Sequence, residues 1–363
     1  MIPQDWQEKT LGEVCTIIAG QSPNSQFYNT EAVGLPFYQG KKEFTNKYIG
    51  VSTIWTTEVT KEAFAGDILM SVRAPVGPIN YATEKCCIGR GLASIRNGKS
   101  ISKDFLFYYL LSIQQKIGGH DGAVFSSISR NEISSLKIVL PPLPEQERIV
   151  AKLDKAFEAI DKAKTIAETN LKNAKELFTS MLDTLCHDKK VNWTQGRLDN
   201  YFVLQRGFDL PKQDRKKGQY PLVSSNGITD FINTYKIKRP VVVTGRSGTI
   251  GSVHYVDENS WPLNTTLYVK DFKNNVPKYI FYYLKSLNLA EFSSGAGVPT
   301  LNRNYIHELI ISFPLQNEQQ KIVEKLDKLQ EQTKQLEAIY IKQIKDLDEL
   351  KQSILQKAFR GEL

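Results

Sequence analysis

The chain contains one pattern twice, and this constrains its fold more than any other feature. Trp6 and residues 11–20 align with Trp193 and residues 198–207 at a constant spacing of 187. Phe105-Leu106-Phe107-Tyr108-Tyr109-Leu110 returns as Tyr279-Ile280-Phe281-Tyr282-Tyr283-Leu284 at a spacing of 174. Arg130-Asn131, Glu145-Gln146 and Lys152-Leu153-Asp154 return 173 residues later as Arg303-Asn304, Glu318-Gln319 and Lys325-Leu326-Asp327. The spacing falls by 14 from the first markers to the last, so a length difference sits in the front part of the repeat. Solenoid repeats have periods of roughly 20–50 residues, so a period this long means duplicated domains. One scaffold carrying two different payloads is the expectation.

Each copy reads as a mixed α/β (α+β) globular part followed by a long helix, giving bounds of 1–143, 144–188, 189–316 and 317–363. Short β-branched runs bounded by Gly, Pro or Arg mark the strands: residues 67–72, 135–140, 240–244 and 309–313. Residues 105–117 and 279–289 read as aromatic-rich helices whose tyrosines belong to the core. Pro141-Pro142-Leu143-Pro144 stops a strand, and Glu145 and Glu147 suit the positive end of the helix that follows. From Val150, positions 153, 157, 160, 164, 167, 171, 174, 178, 181 and 185 advance by threes and fours, and only Lys164 is not apolar. From Ile322, positions 326, 329, 333, 336, 340, 343, 347, 350 and 354 do the same. Seams of this kind predict a coiled coil. The first helix delivers the chain to the second globular part, and the second starts there, so an antiparallel pair with pseudo-two-fold symmetry is the economical arrangement.

Charge narrows the partner. Residues 1–140 carry 14 basic and 12 acidic side chains, and residues 190–313 carry 16 and 9, while the helical segments are balanced. The net +8 thus lies in the globular parts, mostly the second, which points to a polyanion. No run approaches the roughly 18 apolar residues of a membrane span. The start, Met1-Ile2-Pro3-Gln4-Asp5, lacks the layout of a signal peptide. The four cysteines (Cys15, Cys86, Cys87, Cys186) and four histidines show no framework or ligand spacing. A reduced, cytoplasmic protein without a structural metal or cofactor of its own is expected.

A loop after a strand recurs in both copies. Val72-Arg73-Ala74-Pro75-Val76-Gly77 aligns by its letters with Gly245-Arg246-Ser247-Gly248-Thr249-Ile250-Gly251, with one residue extra in the second. Arginine at a strand end reaches a phosphate or a guanine edge, and glycine lets backbone N–H groups approach a ligand; a plain turn with a solvated arginine is the alternative. Arg130 and Arg303, each following a Gly-Ala pair (Gly122-Ala123, Gly295-Ala296), either contact DNA or cap the following turn. Lys41, Lys42, Lys212, Arg215, Lys216 and Lys217 fall where the copies diverge, and Arg206 and Ser247 complete the candidate DNA-binding set. Residues 34–42 imitate a phosphate loop but have five residues between glycines and no Ser or Thr after the lysine. No nucleophile elbow, zinc spacing, dinucleotide loop or base-amine methylation box is found, so a catalytic residue is not expected.

Leu140-Pro141-Pro142-Leu143-Pro144-Glu145-Gln146-Glu147-Arg148-Ile149-Val150-Ala151-Lys152-Leu153-Asp154 resembles the segment opening the central helix of type I restriction–modification specificity subunits. Residues 350–363 resemble that family's C-terminus, and residues 67–73 and 87–93 resemble its recognition-domain strands and turns. The resemblance implies two target recognition domains, each reading half of a split double-stranded DNA site, held apart by paired helices. It implies docking of two methyltransferase subunits and later of restriction–translocase subunits, which bring S-adenosylmethionine, ATP and Mg. It makes Arg73, Arg90 and Arg246 candidate DNA contacts. The second helix opening, Pro314-Leu315-Gln316-Asn317-Glu318-Gln319, departs from the fuller proline pattern of the first. Two other readings stay open: a recognition subunit of a combined restriction–methylation system without a separate translocase, and a coiled-coil scaffold that does not bind DNA.

Overall fold

The computed structural model describes residues 5–117, 127–187, 192–294 and 299–363. Met1–Gln4, the Gly122-Ala123 and Gly295-Ala296 pairs and the junction at residues 188–189 lie outside the described residues. The chain divides into two compact units, residues 1–166 with 343–363, and residues 167–342.

In the first unit a four-stranded antiparallel sheet runs in the order Cys15–Ala19, Leu92–Asn97, Ile68–Ser71, Ile79–Tyr81. Successive side chains of a strand face opposite ways. Ile68 and Met70 therefore enter the core under the helix Lys103–Ile117, while Leu69 enters a second core shared with Tyr38, Cys86, Ile88 and Leu92. Burial on both faces explains why this strand reads as an unbroken apolar run. The second unit repeats the sheet as Val203–Arg206, Thr266–Asp271, Val241–Gly245, Val253–Val256. Val242 faces the core of the helix Pro277–Ser286, and Val241 and Val243 face the other way. A two-stranded ladder closes each copy: Gln7–Thr10 with Lys137–Leu140, and Thr194–Arg197 with Ile310–Phe313.

The copies diverge on the outer face of the sheet. The first carries a five-stranded layer of short strands, including Leu35–Tyr38 and Cys86–Ile88. The second carries one hairpin, Lys217–Ser224 with Gly227–Ile232, joined by Trp261–Pro262. Thirteen of the 14 residues of length difference fall in this layer, since the spacing is 187 at Gly20 and already 174 at Phe105.

The markers that recur at a spacing of 173 seat each globular part on its helix. Gln146 in the first long helix, Leu143–His187, is fully buried. It accepts from the Ser102 N–H (2.8 Å) and donates to the carbonyls of Ser100 (3.0 Å) and Pro141 (2.8 Å). Gln319 in the second long helix, Gln316–Ala358, accepts from the Val276 N–H (2.8 Å) and donates to Asn275 Oδ1 (2.6 Å) and the Pro314 carbonyl (2.9 Å). Tyr108 donates to Asp154 (2.5 Å) and Tyr282 to Asp327 (2.6 Å). Burial, then the neighbouring carboxylate, raises both phenols well above their ordinary range, so the hydroxyls stay donors. The Glu-Gln and Lys-Leu-Asp signatures are thus a joint, with an amide and a carboxylate as its fastenings.

The long helices pair in opposite directions. Within the first unit Asp161 meets Lys351 (2.9 Å) and Lys164 meets Asp348 (2.7 Å), so one number rises as its partner's falls. The seam departs from a strict alternation of threes and fours. Met181 is exposed, and Leu182 and Cys186 are buried instead, packing on the second unit's core. In the second helix Leu336, Gln343 and Leu350 are exposed, whereas Leu347, Ile354, Leu355 and Ala358 join the first unit's core. A straight helix has 3.6 residues per turn, so a strict seven-residue stripe drifts around it by about 20° per heptad.

Candidate nucleic-acid interface

In each copy several turns converge at one end of the four-stranded sheet, tied by the same backbone hydrogen bonds. In the first, Gly20 N–H donates to Leu92, Gln21 to Ile88, Gly89 to Tyr38, Gly91 to Gln39 and Val72 to Gly91, all at 2.8–3.1 Å. In the second, Gly207 donates to Thr266, Phe208 to Pro262, Leu263 to Val223 and Arg246 to Thr265, at 2.8–3.0 Å. Gly20 and Gly207 recur because this crossing admits no side chain. A Cβ would lie 2.2 Å from the Gly89 oxygen in one case and 2.2 Å from the Leu263 oxygen in the other.

These bonds fix which residues correspond. Val72 N–H to Gly91 matches Arg246 N–H to Thr265, Ile128 N–H to Val72 matches Leu301 N–H to Arg246, and Gly77 N–H to Ser71 matches Gly251 N–H to Gly245. The bridge Arg73–Ser127 matches Ser247–Thr300. Arg73 therefore corresponds to Ser247, and Arg246 to Val72, with no extra residue in the second loop. This corrects the match of Arg73 with Arg246, in which identical letters one position apart imitated equivalence. The two arginines therefore stand at adjacent, not equivalent, positions of the shared frame. By the same frame Arg90 corresponds to Asn264.

The side chains differ as much as the frames agree. Arg73, Arg90, Lys41 and Lys42 are exposed, and none has a side-chain hydrogen bond or ion pair among the described residues. In the second copy Arg206 pairs with Asp209 (3.2 Å), Asn264 donates through Nδ2 to Asp209, and Arg246, half-buried, reaches the Asn264 carbonyl (3.5 Å). Thr249 donates to Asn226, and Ser252 to the Ser225 carbonyl. Arg303 lines an open groove with Gln205, Arg206, Phe208 and Asp209.

Other candidates hold different positions. Arg215 donates through Nε and Nη2 to the Leu210 carbonyl (3.2 and 3.1 Å), so its guanidinium closes its own loop. Lys212, Lys216 and Lys217 are exposed on the turn Lys212–Asp214 and the hairpin strand, bound to the hairpin by Asn233 N–H to the Lys216 carbonyl. Arg130 and Arg303 each open a short helix, Arg130–Ser135 and Arg303–His307, but they do not cap it. Ser129, with Glu132, and Asn302 supply the caps, and both arginines are exposed. His307 accepts from the Leu204 N–H (2.9 Å). Burial, and after it the nearby arginines, hold its pKa below the ordinary histidine value against the pull of Asp199.

Among the described residues no group of three or more His, Cys, Asp or Glu side chains is arranged to hold a metal, and no helix is long and apolar enough to cross a membrane. Burial pushes the Cys15, Cys86 and Cys186 thiols up to about 12, which keeps them protonated near neutrality. Sequence reasoning passed over Asp209, Asn226 and Asn264. Their signal was present as polar residues two positions past the repeated Gly207, at the hairpin turn before Gly227 and just before the strand Thr266–Asp271.

The model of the type I restriction modification DNA specificity domain matches residues 3–170 and again 190–346. A putative type I restriction enzyme MjaX specificity subunit of Methanocaldococcus jannaschii is 44% identical over 189 residues, 50% of this chain and 44% of that protein. The EcoBI specificity subunit of Escherichia coli is 21% identical over 100% of this chain and 87% of its own. Among solved structures, a chain from a study of assembly and conformational transition of the type I system superposes over the full length of both, with a TM-score of 0.84 and 21% identity. A specificity subunit from Thermoanaerobacter tengcongensis gives 0.63 at 20% identity, over 100% of this chain and 98% of that one.

Proposed function

The chain belongs to the type I restriction modification DNA specificity family, and from that membership we propose that it is a non-catalytic, DNA-reading subunit in which each copy reads one half of a bipartite duplex target. The observation that carries this reading is the duplicated frame of converging turns, held by the same bonds but dressed with different side chains. Conserved bonds with variable side chains suit two half-sites of different sequence. The antiparallel helices are the element that sets the gap and docks methyltransferase subunits. Those subunits bring S-adenosylmethionine, and restriction–translocase subunits bring ATP and Mg.

The test pairs the full chain with its methyltransferase partner and maps modified bases. The chain alone is expected to transfer no methyl group, and the complex to modify a split motif. Matched seven-residue insertions after Asn170 and Gln343 keep the seam and lengthen the pair by about 10 Å. At 3.4 Å per base pair the gap is expected to grow by roughly three base pairs with both half-sites unchanged. An active complex with the original gap would show that spacing is set elsewhere.

A further inference from the structure

We propose that the position shared by Arg90 and Asn264 determines what each half-site demands: Arg90 donates to a guanine, Asn264 pairs with an adenine, and Asp209 is the positioning residue for that amide. This rests on the DNA-reading role above and adds the base class and the residues.

Two matched pairs of bonds place the two side chains at one point of the frame. Gly89 N–H to Tyr38 matches Leu263 N–H to Val223, and the Gly91 and Thr265 carbonyls accept from Val72 and Arg246. Gly20 and Gly207 pass beneath the turn in both copies. Arg90 sits between Gly89 and Gly91, and a Cβ at Gly91 would lie 2.3 Å from the Gln39 oxygen. The turn is therefore pressed onto its neighbour, and Arg90 extends into solvent with no described partner. A guanidinium presents paired donors, the complement of guanine O6 and N7. Asn264 differs because its orientation is fixed. Asp209 Oδ1 accepts from the Asn264 Nδ2, so the amide nitrogen faces the carboxylate. That leaves one N–H and Oδ1, which has no hydrogen bond among the described residues. One donor beside one acceptor is the complement of adenine N7 and N6. Asp209 is itself held by Arg206 (3.2 Å), which reaches the same Oδ1 that receives the Asn264 amide.

The experiment measures base preference in the complex with methyltransferase, both by mapping modified sites and by competition with duplexes substituted one base pair at a time. R90K keeps the charge and loses the fork. It is expected to reduce discrimination at one guanine of one half-site by about ten- to a hundred-fold, leaving the other half-site intact. N264A is expected to do the same at one adenine of the other half-site. D209A is expected to blur that same adenine while affinity for a fixed duplex changes less than discrimination, which a merely structural role would not produce. Thermal melting identifies variants that fail to fold, and R90K, at an exposed tip, is the variant least able to fail in this way. Unchanged motifs for R90K and N264A in a folded, active complex overturn the inference. So does a relaxed base other than guanine for Arg90 or adenine for Asn264. A wild-type complex with no sequence preference would instead defeat the DNA-reading role itself.

Discussion

The two copies carry charge in opposite ways. Residues 190–313 hold a net +7 against +2 for residues 1–140, yet the first presents cations without described partners at its converging turns, whereas the second has tied Arg206, Arg246 and Arg215 to a carboxylate or to carbonyls. Three further cations, Lys212, Lys216 and Lys217, lie on its hairpin and the turn before it, beside Asp214 and Asp230. Net charge therefore says that a polyanion is attracted and not where it is held. A cation already paired gains less from a phosphate than one kept only by water, because the existing interaction must first be given up.

The largest expected effect tests whether the joints are equal. Replacing Gln146 or Gln319 with Ala strands a buried backbone N–H and its acceptor partners, at about 2–4 kcal/mol. Urea unfolding is expected to show similar losses for both. A Gln319→Ala loss near zero would mean that the second copy is seated by Tyr282 and Asp327 instead. The next effect concerns salt. Removing Lys41 and Lys42 together is expected to flatten the dependence of DNA binding on salt in the complex by about 0.9 in slope for each phosphate no longer neutralised. Arg206→Ala with Arg246→Ala is expected to move the slope much less, and Lys216→Ala with Lys217→Ala reports on the hairpin. A reversed order would show that the paired arginines exchange their partners for phosphate. The smallest effect is on pH. His307 is held below its ordinary pKa, so the unfolded chain binds more protons than the folded one as pH drops. Stability of the second copy is full above the unfolded value near 6.5 and falls as pH drops below it. The first copy has Ser134 at this place and is expected to lack the trend. Thermal melting of wild type and His307→Gln between pH 7.5 and about 5 separates the two.

Much of the architecture was legible because it rests on periodicity. The apolar run of residues 67–72, the aromatic helices and the long seams follow from burial on one or two faces, and burial leaves a regular trace. Recurrence of Gly20 at Gly207 carried the frame as well, since a close crossing selects one residue type. The candidate site was less legible, for two physical reasons. Equivalence of loop positions is set by backbone bonds, and an arginine shifted by one residue looks like the same arginine in the letters. Whether a cation is available depends on partners distant in sequence: nothing local to Arg246 announces the Asn264 carbonyl, and nothing local to Asn264 announces Asp209. The seam was misplaced at Met181, Leu336 and Leu350 because a strict heptad ignores the turn of a straight helix.

The fastening of each globular part by a buried glutamine has a bearing on how such a chain can change. Every polar atom of Gln146 that the joint uses is satisfied by backbone groups of residues 100, 102 and 141, and none by the turns that carry Arg73 or Arg90. The reading surface can thus be exchanged together with that joint, without loosening the seat on which a newcomer must stand. A viable crossover lies in the long helix beyond Asp154, where an incoming segment brings its own glutamine, its own tyrosine and the carboxylate that receives it.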